Sequence, residues 1–425
     1  MPHIPVELAE RIVDYLQDDK LSLLTTSLIS RSWTPRSRQH YFADLHLPRL
    51  HRPVEEFKDL CAHPLSTIST TRTRKLTLRR PLSLKLWKAS FLWLLSPAFE
   101  SAKSMTVIEA LFHSIDEIEI IGAKDLDEWA PLRELIQSGH LQKIRRLTMT
   151  RCTRNAAGLR YLLNAFDMLE VLTLDEVYID KYHIMELGEY SLPETLNRLV
   201  IRDQFGLIGF STQLDLKNST CLGLREIYID IGSSFSVIED LKNFLRRSSV
   251  STRHRRRCTL GVRGVSVKID ALRRLVAETE WTGWELALKG ELYMICGIFA
   301  AGSPHDRAGS FSSNSNLKYI LVEDILGLMN SSRCFQRDFA YFEELLEMDP
   351  IFHCVEEILL EVALELSEVE LADAGWDERE LMVVRGSYPH ILMEIVVEAI
   401  QDLLPYCHDG GMLRVQELFR KREKR

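Results

Sequence analysis

Apolar residues recur at helical spacing over the first forty positions of the chain. Pro5 suits the first turn of a helix, because its missing N–H would have no partner there. A polar break at Gln17–Asp19 separates two predicted helices, and Pro35 favours the start of a third one. The apolar positions are Leu8, Ile12 and Leu16 in the first helix and Leu21, Leu24 and Leu28 in the second. Helices this short cannot bury all of these side chains among themselves.

After about residue 70 the apolar period changes to two, which is typical of strands. In the segment LEVLTLDEV, Leu172 and Leu174 fall on one face of a predicted strand, with Thr173 and Asp175 on the other. The pattern itself recurs at intervals of 29, 25, 27 and 28 residues, which are leucine-rich-repeat periods. The recurring apolar anchors are Ile118, Leu147, Leu172, Leu199 and Ile227, with weaker copies at Leu76, Leu260, Leu286, Ile320 and Ile358.

Between some copies the apolar period returns to helical, for example in VIEDLKNFLRR and KIDALRRLVAETEW. We therefore predict an α/β fold: a small helical module over residues 1–45, followed over 46–425 by an irregular leucine-rich-repeat-like solenoid. Parallel strands would line its concave face and helices its outer side. The regular asparagine of such repeats is missing, and only Cys152 occupies that kind of position. The Gly- and Ser-rich segment 300–316 predicts a loop insertion. An ordinary α/β fold with a parallel sheet is the alternative.

The N-terminal helices resemble the F-box, the helical motif by which substrate receptors dock onto a Skp-type adaptor in cullin ubiquitin ligases. The resemblance lies in the order of Ile4-Pro5, Glu7-Leu8, Ile12, Tyr15-Leu16, the acidic turn Asp18-Asp19, Leu21, Leu24 and SLISRSW. It implies an adaptor-binding surface made by Ile4, Pro5, Leu8, Ile12, Leu16, Leu21, Leu24 and Leu28. The alternative is that residues 4–42 only cap a larger domain.

Composition narrows the class of protein. The chain has 425 residues, of which 46% are hydrophobic, so it can bury a large core. Its eight cysteines show no metal-binding spacing, and together with the lack of an apolar leader they predict a soluble protein of the cytoplasm or nucleus. No apolar run is long enough to predict a membrane span. The net charge of −8 argues against a surface built for nucleic acid.

No catalytic constellation or metal site is predicted, and no cofactor motif is present. Basic stretches at 72–88 and 253–257 are compatible with nucleic-acid binding or nuclear import, but such runs are more often solvated faces that balance acidic neighbours. We therefore expect a protein that is not an enzyme.

The strand positions whose side chains point away from the apolar core, here called outward-facing, supply candidate target-binding residues. By parity these include Arg198, Arg202, Tyr228, Asp175 and Asp230, and arginine and tyrosine are favoured as binding anchors. The alternative is that they are solvated strand positions. Taken together, the patterns predict a substrate-recognition subunit of an SCF-type ubiquitin ligase, which binds a Skp-type adaptor, through it a cullin-RING ligase, and a target protein. A stand-alone repeat scaffold and an enzyme on a parallel-sheet fold are the alternatives.

Overall fold

The computed structural model describes residues 5–47, 59, 73–80, 115–123, 143–155, 163–180, 192–202, 223–231, 256–262, 284–290, 295, 317–322, 339–346, 355–363, 397, 400, 401, 404, 405, 408 and 411–418. Several predictions lie outside these residues. They are Ile4 as an adaptor contact, the loop insertion at 300–316, and the two helices predicted over 237–247 and 268–281.

Three helices open the described chain: α1 over Val6–Tyr15, α2 over Lys20–Ile29 and α3 over Thr34–Tyr41. Pro5 precedes α1 as its N-terminal cap. The carboxylate of Asp19 caps α2 by accepting hydrogen bonds from the backbone N–H groups of Leu21 and Ser22. A proline lies in the first turn of α3, where its missing N–H costs nothing. The three predicted helices are thus confirmed.

Fourteen strands follow within the described residues. They are β1 Asp44–Leu47, β2 Lys75–Arg79, β3 Glu117–Ile121, β4 Arg146–Thr150, β5 Thr153–Asn155, β6 Val171–Asp175, β7 Tyr178–Asp180, β8 Arg198–Arg202, β9 Glu226–Ile231, β10 Arg256–Val262, β11 Trp284–Gly290, β12 Leu317–Val322, β13 Glu357–Ala363 and β14 Leu413–Leu418. Residues 339–346 are also helical.

Twelve of these strands form one sheet, in which neighbouring strands follow one another in chain order. The other two, β5 and β7, pair with each other in a separate two-stranded sheet. Every pairing with a described register is parallel. Parallel neighbours in chain order require a crossover between successive strands, as stacked repeats do. The chain is therefore α/β with a parallel sheet. It divides into two compact units, residues 1–200 with 212–215 and residues 201–211 with 216–425, and the division falls within β8.

Within the first unit the predicted apolar anchors are register partners. Leu76 pairs with Ile118, Ile118 with Leu147, and Leu147 with Leu172, and all four are fully buried. Burial alternates along β3, β4 and β6, so the period-two interpretation is confirmed there. The repeat spacing read from the sequence is therefore the spacing of adjacent strands.

In the second unit the register differs from the predicted anchors at two places. Between β11 and β12 it shifts at Leu286–Ala287, so Ile320 pairs with Leu288 and not with the predicted Leu286. In β10 the anchor residue itself differs. The register pairs Ile227 with Cys258, whereas Leu260 pairs with Ile229. Cys258 in turn pairs with Leu286. The anchor of β10 is therefore Cys258, a buried free cysteine that behaves as a small apolar residue. The predicted anchor Leu260 lies two residues after Cys258, so both side chains are on the same face of β10.

In the first unit, a residue with a left-handed backbone conformation follows each of three strands that are neighbours in the sheet. Gly122, Arg151 and Glu176 have φ values of 75°, 54° and 51° directly after β3, β4 and β6. The next residue in each case, Ala123, Cys152 or Val177, is buried. The Cys152 thiol donates to the carbonyl oxygen of Ile120 on β3 at 3.4 Å, and this contact links the segment after β4 to the neighbouring strand.

Candidate functional site

The interior of the three-helix module is small. Its fully buried or nearly buried side chains are Ala9 and Val13 of α1, Leu23 and Thr26 of α2 and Ser37 of α3. Thr26 Oγ1 and Ser37 Oγ are 3.1 Å apart and share a buried hydrogen bond between α2 and α3. Such a core offers little space, so most of the large apolar side chains of these helices cannot enter it.

An ion pair joins α1 to α3. The Arg36 guanidinium donates from Nε to Asp14 Oδ1 at 2.6 Å and from Nη2 to Asp14 Oδ2 at 2.9 Å, and His40 Nε2 lies 2.7 Å from Asp14 Oδ1. The hydrogen bond from Arg36, assisted by that of His40 and opposed by desolvation, lowers the pKa of Asp14 to about 2. The carboxylate of α1 is thereby held on α3, which fixes the direction in which the outer face of α1 points.

The other face of α1 and the matching face of α2 carry exposed apolar side chains. Leu8 keeps 50% of its surface exposed, Leu24 45% and Leu28 86%. We call the complete set the N-terminal apolar residues: Val6, Leu8, Ile12 and Tyr15 of α1, and Leu21, Leu24, Leu28 and Ile29 of α2. Isolated exposed leucines are ordinary, but eight large apolar side chains on two short helices of one module are typical of a surface that a partner covers.

Five of the predicted adaptor contacts belong to this set. They are Leu8, Ile12, Leu21, Leu24 and Leu28, so the expectation that some apolar side chains of the module stay exposed is confirmed. Pro5 is exposed directly before α1, while Leu16, which directly follows α1, is only half-exposed. The other three members of the set were not among the predicted contacts: Val6, Tyr15 and Ile29. Val6 is two residues from Leu8, and Ile29 is one residue from Leu28. Neither has the three- or four-residue spacing from these leucines that identified the predicted contacts.

The module is attached to the sheet through α2 and β1. Lys20 Nζ donates to the backbone oxygen of Asp44, the first residue of β1, at 2.6 Å, and lies 5.8 Å from the Tyr41 ring centroid. Burial lowers the pKa of Lys20, and the Asp44 charge opposes that effect. Because β1 pairs with β2 in parallel register, the module continues directly into the repeat sheet.

On the outward face of the first unit, charged side chains neutralise one another across the strands. Lys75 Nζ lies 3.1 Å from Glu117 Oε1 and 3.0 Å from Glu119 Oε2, and Arg146 Nε lies 3.3 Å from Glu117 Oε2. Burial alone would lower the pKa of Lys75, but the hydrogen bonds and charges of Glu119 and Glu117 raise it. Of the predicted target-binding residues in this unit, Arg198 is exposed and Asp175 is half-buried.

In the second unit the predicted residues Arg202, Tyr228 and Asp230 come together. The Arg202 guanidinium lies 5.8 Å from the Tyr228 ring centroid, and Tyr228 Oη donates to Asp230 Oδ1 at 2.6 Å. Arg202 is exposed and Tyr228 half-buried, whereas Asp230 is buried. Asp230 therefore acts on Tyr228 and presents little surface of its own.

A second tyrosine–arginine pair in this unit was not predicted. The Arg257 guanidinium lies 4.0 Å from the Tyr319 ring centroid, and Tyr319 Oη donates to Glu285 Oε2 at 3.1 Å. The parity rule that identified Tyr228 also identifies Arg257, because Arg257 precedes the inward Cys258. Arg256, its neighbour in the basic stretch, is instead buried on the inward face.

The described residues contain no group of three His, Cys, Asp or Glu side chains arranged to hold a metal ion. No helix within the described ranges is long and apolar enough to cross a membrane. In comparisons with known proteins, no family model matches the chain and no curated protein matches it significantly. Two surfaces therefore bear on the function: the N-terminal apolar residues and the outward face of the sheet.

Proposed function

We propose that this chain is the non-catalytic substrate-recognition subunit of an SCF-type ubiquitin ligase. In this proposal the N-terminal module binds a Skp-type adaptor, and through it a cullin-RING ligase, while the repeat region binds a target protein. The observation that carries the proposal is the exposure of the N-terminal apolar residues on α1 and α2. The F-box resemblance assigns five of these residues to the adaptor contact: Leu8, Ile12, Leu21, Leu24 and Leu28.

The energetic reason for a partner lies in the division of the leucines between core and surface. Leu23 is fully buried, whereas Leu21, Leu24 and Leu28 of the same helix remain in contact with water. Removing apolar surface from water gains about 25 cal/mol per Å², so a partner that covers these side chains gains free energy. Helices presenting apolar side chains three and four residues apart are a common docking surface for another protein.

For the repeat region we propose the finer architecture of an irregular leucine-rich-repeat-like solenoid. Its support is the in-register series of buried anchors and the left-handed residue that follows β3, β4 and β6. Helices between the strands would cover the inward apolar face, and the outward face, with Arg202 and Tyr228, would bind the target. The chain would then act by proximity, because holding a target near a reactive thioester raises the effective concentration of its lysines.

A second candidate function is a stand-alone repeat scaffold whose N-terminal helices only cap the sheet. The contact of Lys20 with Asp44 favours it, because the module covers the start of the first strand. Capping explains why the module is attached to β1. It does not explain why eight large apolar side chains face away from the module's own core, and for this reason we favour adaptor docking.

The test is capture of a purified Skp-type adaptor by the full chain and its variants. Leu8→Asp places a charge on the proposed interface and should weaken adaptor binding by about 2–4 kcal/mol. Met168→Asp is the matched control, since Met168 is 45% exposed but lies outside the module, and it should leave capture unchanged. Circular dichroism of both variants verifies that they are folded. Failure of the wild-type chain to capture the adaptor, or equal capture by Leu8→Asp, would favour the scaffold.

A further inference from the structure

In the second unit, a hydrogen bond and close packing hold the Tyr228 side chain in position on the sheet. Its hydroxyl donates to the buried carboxylate of Asp230, and Gly261 is the register partner of Asp230 on β10. A Cβ atom at Gly261 would lie 2.1 Å from Asp230 Oδ1 and 2.6 Å from Tyr228 Oη. Only glycine therefore leaves room for the two side chains, which lie across β10 and hold the tyrosine ring in one position.

The Tyr319 ring is fixed in a comparable way. Its hydroxyl donates to Glu285 on the neighbouring strand β11, and the Arg257 guanidinium stacks over the ring at 4.0 Å from its centroid. At that distance the cation–π attraction is effective and the arginine side chain loses much of its rotational freedom. Arg202 approaches the Tyr228 ring more loosely, at 5.8 Å.

The guanidinium groups of Arg202 and Arg257 have exposed hydrogen-bonding edges. Both are exposed, and among the described residues neither guanidinium has a carboxylate within ion-pair distance. A guanidinium carries five N–H donors, and stacking occupies its face and leaves the donors at its edge free to bind a ligand. Within the part of the chain that the structure describes, the tyrosines therefore position two cations without neutralising them, in contrast to the paired Lys75 and Arg146 of the first unit.

We propose that Arg202, Tyr228, Arg257 and Tyr319, here called the tyrosine–arginine face, bind an acidic segment of a protein. Each guanidinium would donate two parallel hydrogen bonds to one carboxylate, the geometry in which arginine recognises this group best. The preordered arginines reduce the entropy lost on binding. This inference rests on the proposed function, for which it names the chemistry of the target.

The surrounding charges favour a protein segment over nucleic acid. Glu226 and Glu285 are the register partners of Arg257 on its two sides. Two carboxylates beside one cation oppose the approach of a continuous chain of phosphates, whereas a single side-chain carboxylate directed at the guanidinium can avoid them.

The experiment measures fluorescence anisotropy of a labelled peptide of alternating glutamate and serine with the full chain, in the absence of any adaptor. The same peptide with glutamine in place of glutamate is the ligand control. Arg257→Gln and Arg202→Gln should each weaken binding of the glutamate peptide about tenfold. Arg225→Gln removes the same charge from an exposed arginine of the same unit that has no described ring contact, and it should leave binding unchanged.

Three outcomes would overturn the proposal: no preference for the glutamate peptide, an equal loss in all three variants, or tighter binding of a single-stranded oligonucleotide. An equal loss would indicate general charge attraction, and oligonucleotide binding would indicate a nucleic-acid surface. Adaptor capture is measured separately, with Leu8→Asp. Loss of the ligase function with retained peptide binding would therefore leave an acidic-peptide-binding scaffold, and the reverse result would reject only the tyrosine–arginine face.

Discussion

Asp14 of α1 and Arg36 of α3 form a two-point ion pair, with N–O distances of 2.6 and 2.9 Å. The pair holds α1 in the orientation that turns Ala9 and Val13 toward the module core and Leu8 and Ile12 away from it. The exposure of the proposed adaptor surface therefore depends on a contact on the opposite side of the helix.

The Asp14 pair should make module stability depend on pH. The pKa of Asp14 is about 2 when folded and 3.8 when unfolded, so its contribution is complete above the unfolded value and is lost as the pH falls through about 2. Both side chains are more than a third exposed, which limits the contribution to about 1 kcal/mol. Urea unfolding of wild type and Asp14→Asn at several pH values measures it.

The difference between wild type and Asp14→Asn should shrink as the pH falls below about 4. Glu194→Gln, at an exposed site outside the module, is the control and should show little difference at any pH. A difference for Asp14→Asn that stays constant with pH would contradict the role of its charge.

Leu23 and Leu24 are adjacent in α2 and should behave in opposite ways. Leu23 is fully buried, so Leu23→Ala leaves a cavity and should destabilise the module by about 2–5 kcal/mol. Leu24→Ala should change stability by less than about 1 kcal/mol but weaken adaptor capture. Denaturation of both variants followed by pull-down separates the two effects. Equal stability losses would mean that Leu24 belongs to the core.

Gly261→Ala should displace Tyr228 and Asp230, because the added Cβ would lie 2.1 Å from Asp230 Oδ1. We expect about 1–3 kcal/mol of destabilisation from this overpacking, together with weaker binding of the glutamate peptide. Thr148→Ala, at a half-buried position of β4 in the first unit, removes atoms without adding any and serves as the control for peptide binding. Retained stability and peptide affinity in Gly261→Ala would show that the tyrosine need not be pinned.

The buried cysteines should resist thiol reagents in the native protein. Cys152 and Cys258 are both fully buried, and burial raises the pKa of Cys258 well above its usual value, which leaves almost no thiolate. Alkylation followed by peptide mass spectrometry should find both modified only after unfolding. Rapid labelling of Cys258 in the folded chain would contradict its position as the anchor of β10.

The local sequence determined which elements form and which residues alternate along them. Helix caps, prolines and the period of apolar residues act within a few positions, so α1 to α3 and the strands carrying Leu147, Leu172 and Leu199 followed from the chain alone. Strand parity likewise placed Arg202 and Tyr228 on the outward side. The proposed assignments to an adaptor and a target stay predictions, since they depend on partners.

Tertiary structure decided which of two similar apolar positions becomes part of the core. In α1 the small residues Ala9 and Val13 enter the core, while the larger Leu8 and Ile12 remain outside, because three short helices enclose too little volume for them. The register of β9 with β10 selected Cys258 over Leu260 as the anchor. The burial of Asp230 and the two stacked arginines depend on contacts between strands far apart in the chain, which no local pattern of apolar residues can specify.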